Sequence, residues 1–250
     1  MTKVQDDTTA VIIGRAGSKG FPGKNAKLLL GRPMVWYSLD DAAQASCVDR
    51  VVVSTDCPAM YQQAEEWFSA HRHSLAAGKS RTLVRRPTSL AGDVATVDSA
   101  VRHAVADIDA EIVVILYGNV PIRPEGIIDR AVERLTSSGA SSVQSYAPVG
   151  KYHPYWEVTL DEAGRVTPYV DNCVYRRQDL PPVFVPDGGV IAVRREYLMQ
   201  EVVGQPHAFL GPRRMGIVNG MGQVIDIDDP IDLIVAEAVL TQERSVRDAA

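Results

Sequence analysis

Short apolar runs alternate with longer amphipathic stretches along this chain. Residues 10–14, 50–54, 82–85, 112–117, 142–146, 189–193 and 223–227 are apolar runs too short for helices, and they predict strands. Between them, apolar positions at helical spacing predict helices near 34–46, 59–71, 94–108, 126–136 and 231–243. The stretch "EIVVILY" at 111–117 is apolar almost throughout, as in a strand covered on both faces. Strand and helix in alternation predict an α/β fold: three layers, helices on both sides of a mostly parallel mixed sheet. Residues 148–186 break the rhythm with prolines, aromatics and "YRRQDLPP", and read as an inserted hairpin or lobe within a single domain spanning 1–250. The closing "RSVRDAA" is expected to fray.

Composition narrows the function classes. The net charge of −5 leaves no general electrostatic footprint for nucleic acid. No apolar run approaches the roughly 18 residues that suggest a membrane helix, and "MTKVQDDTTA" has no signal-peptide core. Cys47, Cys57 and Cys173 are widely spaced, which argues against a zinc site or a disulfide framework and fits a reducing, cytoplasmic setting. His71 and His73 form the one close histidine pair, and it reads as a solvated helix end.

Ligands of such sheets sit beyond the carboxyl ends of the strands, so the junctions after Ile13, Tyr117 and Ile227 carry the candidate chemistry. The first runs "GRAGSKGFPGKN". It is not a Walker A loop, because Ser18 stands where the first glycine should be and Asn25 replaces the Ser or Thr that holds magnesium. It is not a dinucleotide fingerprint either, since Gly14, Gly17, Gly20 and Gly23 recur at every third position. What remains is a glycine-rich turn carrying Arg15, Lys19 and Lys24, a combination suited to a triphosphate.

The last junction is acidic. In "VIDIDDP" the aspartates Asp226 and Asp228 alternate with isoleucines, so an extended backbone puts both carboxylates on one side and the isoleucines on the other. Such an oxygen pair suits Mg²⁺. Asp229 precedes Pro230 and a helical apolar series, and reads as a helix N-cap.

"RAGSKGFPGKN" resembles the R-x-G-S-K-G-x-P-x-K-N signature of the acylneuraminate cytidylyltransferases. The similarity continues in order through "DRVVVSTD", "RPTSLAGD", "HP", "RRQDLP", "PDGGVIAV" and "IDIDDPIDL". The resemblance implies the nucleotide-diphospho-sugar transferase fold, with CTP in the first half and a sugar acid and Mg²⁺ in the second. It implies catalytic roles for Arg15, Lys19 and Lys24 on the triphosphate. Gly17, Ser18, Asn25, Arg86, Asp93 and Thr96 would contact the nucleotide. Val97 stands where relatives carry a hydroxyl residue, a contact that Thr96 is expected to replace.

On the acceptor side the resemblance implies roles for Tyr117, Arg123, His153, Tyr155, Arg177 and Gln178, with Arg177 the candidate partner of a carboxylate. It assigns the cation to Asp226 and Asp228. Two positions depart from the pattern. Relatives read "QPTSPLR" where this chain reads "YGNVPIR", so Tyr117 replaces a glutamine, and Trp156 stands where some relatives carry lysine. The expected reaction joins CMP from CTP to the anomeric hydroxyl of a nonulosonic acid. The alternatives are another acid, such as an eight-carbon ulosonate, or a nucleotide-binding homologue without turnover. The resemblance also implies a homodimer, with 148–186 as the exchange element.

Overall fold

A computed structural model describes residues 7–71 and 79–248; His73 of the histidine pair lies outside them. In chain order the strands are β1 (Thr8–Gly14), β2 (Leu28–Leu29), β3 (Arg32–Pro33), β4 (Arg50–Thr55), β5 (Ser80–Arg85), β6 (Ile112–Tyr117), β7 (Ser142–Pro148), β8 (Val158–Leu160), β9 (Val166–Pro168), β10 (Phe184–Arg194) and β11 (Arg214–Val218). The helices are α1 (Met34–Gln44), α2 (Pro58–Ala70), α3 (Val97–Ala104), α4 (Ile127–Ser138), α5 (Arg195–Leu198) and α6 (Pro230–Asp248).

The main sheet has the order β11-β7-β10-β6-β1-β4-β5. Neighbours run parallel except β10, which is antiparallel to both β6 and β7. Alternate residues of β1 show why there are three layers. Ala10 and Ile12 pack with α1, α2 and α4, while Val11 and Ile13 pack on the opposite face with α3 and Leu198. A smaller third core joins Leu29 and Met34 to Ile225, Ile227 and Ala236, and so fastens α6 beside the first loop.

Three expectations change. Residues 223–227 do not build a ladder; the segment is extended but makes one bridge, Ile122 with Ile225. Its period-2 burial survives because the isoleucines enter the third core. The edge strand β11 escapes sequence reading, since "RMGIV" is short and its exposed side offers no apolar run. The segment expected to fray instead continues α6 as far as Asp248. Between β7 and β10, residues 149–183 carry the β8–β9 hairpin apart from the main sheet.

Candidate active site

A cavity of about 580 Å³ opens at the carboxyl ends of β1, β5 and β6, the position where open α/β sheets bind ligands. Its base is shaped by close approach of backbone to a methionine. A Cβ on Gly14 would lie 2.4 Å from Met60 Sδ, and one on Gly118 would lie 2.8 Å from Met60 Cε. Glycine at both positions therefore lets the ends of β1 and β6 reach α2.

The glycine-rich loop leaves β1 and is held at several points. Ala16 N–H donates to Asp56 Oδ1 at 3.1 Å, and Asn25 Nδ2 donates to Arg15 O at 2.8 Å. Asn25 is buried in the cavity wall, and no described residue donates to its Oδ1. Ser18, Lys19 and Lys24 line the cavity, whereas Gly17 is exposed and does not. The two lysines differ in setting: the Lys24 side chain is 14% exposed and that of Lys19 is 80% exposed. Lys24 pairs with Asp228. Lys19 and Arg15 both meet Asp93, at 2.6 and 3.4 Å. The hydrogen bond from Lys19, helped by the two positive charges, holds the Asp93 carboxyl below the usual range.

Arg86 follows β5 and is buried. Its Nη2 donates to Gly14 O and lies 3.3 Å from Asp56 Oδ1, so its partner is Asp56 and not Asp93. Burial lowers its pKa, and its Nε has no described acceptor. Asp56 thus joins the ends of β1, β4 and β5, a role the sequence did not single out within "VVVSTD". Thr96 lines the cavity, but its Oγ1 also accepts from Ser99 N–H at 3.3 Å as the N-cap of α3. The helix therefore begins at Val97, later than the apolar pattern suggests.

Asp228 and Asp229 line the cavity on the acidic side; Asp226 lies behind them, half-buried, and accepts from Asn119 Nδ2. Burial, reinforced by the charge of Asp228, pushes the Asp226 carboxyl up to about 6. Asp229 is not the capping side chain expected of it. Asp232 Oδ2 accepts the backbone N–H groups of Asp228 and Asp229, at 2.9 and 2.8 Å, and the Asp229 carboxylate is left beside the cavity. Among the described residues no group of three or more His, Cys, Asp or Glu is placed to hold a metal unaided. What Asp226 and Asp228 offer is a pair of hard oxygen donors, and Mg²⁺ is commonly held by one or two carboxylates with the rest of its shell from water and phosphate.

The acceptor-side residues divide. Tyr117 lines the cavity, and burial, then the charge of Asp226, raises its hydroxyl pKa. Arg123 does not line it. Its side chain is fully buried, donating to Gly189 O at 2.7 Å, Tyr117 O at 3.0 Å, Val120 O at 2.6 Å and Asp41 at 3.1 Å. It fixes the turn after β6 instead of facing a ligand. His153 is buried, with Nδ1 accepting from Tyr155 N–H at 3.1 Å and Nε2–H directed to Pro181 O at 3.0 Å. Tyr155, Trp156, Arg177 and Gln178 sit on the 149–183 segment, and none lines this cavity. Asn119, which does line it, went unassigned in the sequence; its only signal was its place just past the Tyr117 junction.

The chain is 28% identical over 243 residues to the CMP-N,N'-diacetyllegionaminic acid synthase of Legionella pneumophila, covering 92% of this chain and 95% of that one. It is 30% identical over 195 residues to the N-acylneuraminate cytidylyltransferase of Streptococcus agalactiae, covering 76% of this chain but 44% of that longer protein. The solved structure of a CMP:2-keto-3-deoxy-manno-octonic acid synthetase complexed with CTP superposes with a TM-score of 0.68 at 17% identity, over 95% of this chain and 99% of that one, so the fold is shared. Residues 9–181 match the sequence profile described as Cytidylyltransferase, and the chain belongs to that family, as a CTP-dependent nucleotidyltransferase.

Proposed function

We propose that the protein transfers CMP from CTP to the anomeric hydroxyl of a nonulosonic acid, a 2-keto sugar acid, with release of pyrophosphate. The observation that carries this reading is the meeting of Arg15, Lys19 and Lys24 with Asp228 around one cavity at the strand ends. The hydroxyl oxygen forms the new bond to the α-phosphorus, the bond to the bridging oxygen breaks, pyrophosphate departs and the hydroxyl proton is released. Such a transfer asks mainly for alignment and charge stabilisation. Lys24 and Arg15 align the triphosphate and stabilise charge on the leaving group. Asn25, Arg86 and Thr96, which line the cavity, contact the nucleotide in this reading.

Asp226 and Asp228 hold Mg²⁺ in this reading. Their donor set is all oxygen, and an elevated Asp226 pKa is what a neighbouring cation would relieve. When bound, the ion neutralises phosphate charge.

Tyr117 in the cavity wall, where relatives carry glutamine, supports a second reading, the same transfer to a different acid such as an eight-carbon ulosonate. The 149–183 segment exposes Val158, Leu160, Val166 and Tyr169, which supports a homodimer built on this lobe. Arg177 and Gln178 act on an acceptor in such a dimer only if a second copy brings them to a cavity. Among the described residues no helix is long and apolar enough to cross a membrane. CTP as substrate and three unpaired cysteines support a cytoplasmic setting.

Pyrophosphate release, measured with CTP, Mg²⁺ and a panel of nonulosonic and ulosonic acids, tests the assignment. One nonulosonic acid should release pyrophosphate in step with a CMP conjugate. Silence with every acid, despite CTP binding, would overturn it.

A further inference from the structure

Asn119 connects the cavity to the acidic segment. It lies just past β6, is 8% exposed and forms part of the cavity wall. Its amide nitrogen donates to Asp226 Oδ1 and, at 3.1 Å, to Ile227 O. The backbone answers in the other direction, with Ile227 N–H donating to Asn119 O at 2.9 Å. Asp226 Oδ2 faces Gly188. Gly188, at φ +76°, stands so close that a Cβ there would lie 3.3 Å from that oxygen. One carboxylate oxygen is thus tied to an amide, and the glycine opposite leaves the other without a side chain against it. The turn that carries Asn119 is fixed in its own right by the Arg123 guanidinium, through the carbonyls of Tyr117 and Val120. A single hydroxyl donor, as in threonine, could not make both side-chain contacts.

We propose that Asn119 is a positioning residue that fixes the orientation of the Asp226 carboxylate and so shapes the cation site at the edge of the nucleotide cavity. This rests on the reading of Asp226 and Asp228 as cation ligands. The physical reason is that a ligating carboxylate binds best when its direction is set in advance. Outer partners of that kind are worth about 10- to 100-fold in metal affinity.

The test uses the full chain with Mn²⁺ as probe, reading free Mn²⁺ by its paramagnetic resonance signal. Wild type, Asn119→Ala, Asp226→Asn and the double variant are compared, and the near-UV circular dichroism of each metal-free protein is recorded beside them. Asn119→Ala should weaken Mn²⁺ binding about 10-fold or more, keep the native near-UV spectrum, and add nothing in the Asp226→Asn background. A loss of Mn²⁺ affinity together with the native near-UV spectrum would point to general disruption and overturn the role. So would wild-type Mn²⁺ affinity in Asn119→Ala while Asp226→Asn loses it. Unchanged Mn²⁺ binding by Asp226→Asn would sink the cation reading itself, and the role of Asn119 with it. If the alanine variant does not fold, Asn119→Thr takes its place, with an intermediate loss expected and wild-type affinity counting against the proposal.

Discussion

Lys24 Nζ contacts a carboxylate oxygen of Asp228, joining the loop after the first strand to a segment 204 positions later. Lys24 is also the more enclosed of the two loop lysines. A cation there is less screened than at Lys19, and its loss leaves Asp228, and in the proposed function the triphosphate, without a partner. Lys24→Ala should lower kcat by about 100- to 1,000-fold, the range for removing one preorganised charge donor. Lys19→Ala should cost clearly less. Steady-state kinetics of the two variants decides it, and equal losses would contradict the burial argument.

Asp226 predicts a pH dependence of stability. Its folded pKa, raised to about 6 by burial and by Asp228, exceeds the ordinary value of 3.8, so the folded state holds the proton more tightly than the unfolded one. Stability from this group is complete below about pH 4 and is lost as pH rises through 6. Asp226→Asn should therefore stabilise the metal-free protein at pH 8, by up to about 3 kcal/mol, and change little at pH 4. Urea unfolding at the two pH values reads the difference. An equal effect at both would show that the carboxyl is not perturbed.

Mg²⁺ should reverse that cost. Adding it at pH 8 should raise the unfolding midpoint of the wild type more than that of Asp228→Asn, and Asp228→Asn should need a higher Mg²⁺ concentration for half-maximal turnover. Identical titrations would leave the pair as an acidic strand face with no metal role.

Arg123 is a structural test. Its guanidinium is buried against Asp41, whose pKa is raised by burial despite the arginine beside it. Removing one member of a buried pair leaves the other charge uncompensated. Arg123→Ala should cost about 3–5 kcal/mol of stability, seen in denaturant unfolding. A variant of normal stability whose KM for the acid alone had risen would return Arg123 to the substrate.

Tyr117 is the specificity test. Tyr117→Gln exchanges the ring for an amide, and should shift the ratio of kcat/KM among the panel acids while KM for CTP moves little. An unchanged ratio would make the ring packing only.

Local pattern determined much of this protein. The apolar runs located the strands of the sheet's centre, because strands buried on both faces must be apolar in every position. The loop's glycines and cations, and the alternation of Asp226 and Asp228 with isoleucines, were legible for the same reason: spacing fixes which side of a backbone a group occupies. The edge strand β11 was not legible, since an exposed alternating strand carries little apolar signal.

Spacing also cannot say which distant groups meet. That Asp93 faces Arg15 and Lys19 while Arg86 takes Asp56, that Asn119 holds Asp226, and that Arg123 is sealed beneath the turn are decided by how the strand ends, α1 and the segment before α6 pack together. The sequence by itself determined the kinds of group at each strand end. Only the tertiary structure decided their partners, because ion pairs and hydrogen bonds depend on distances that close when the sheet and its helices pack.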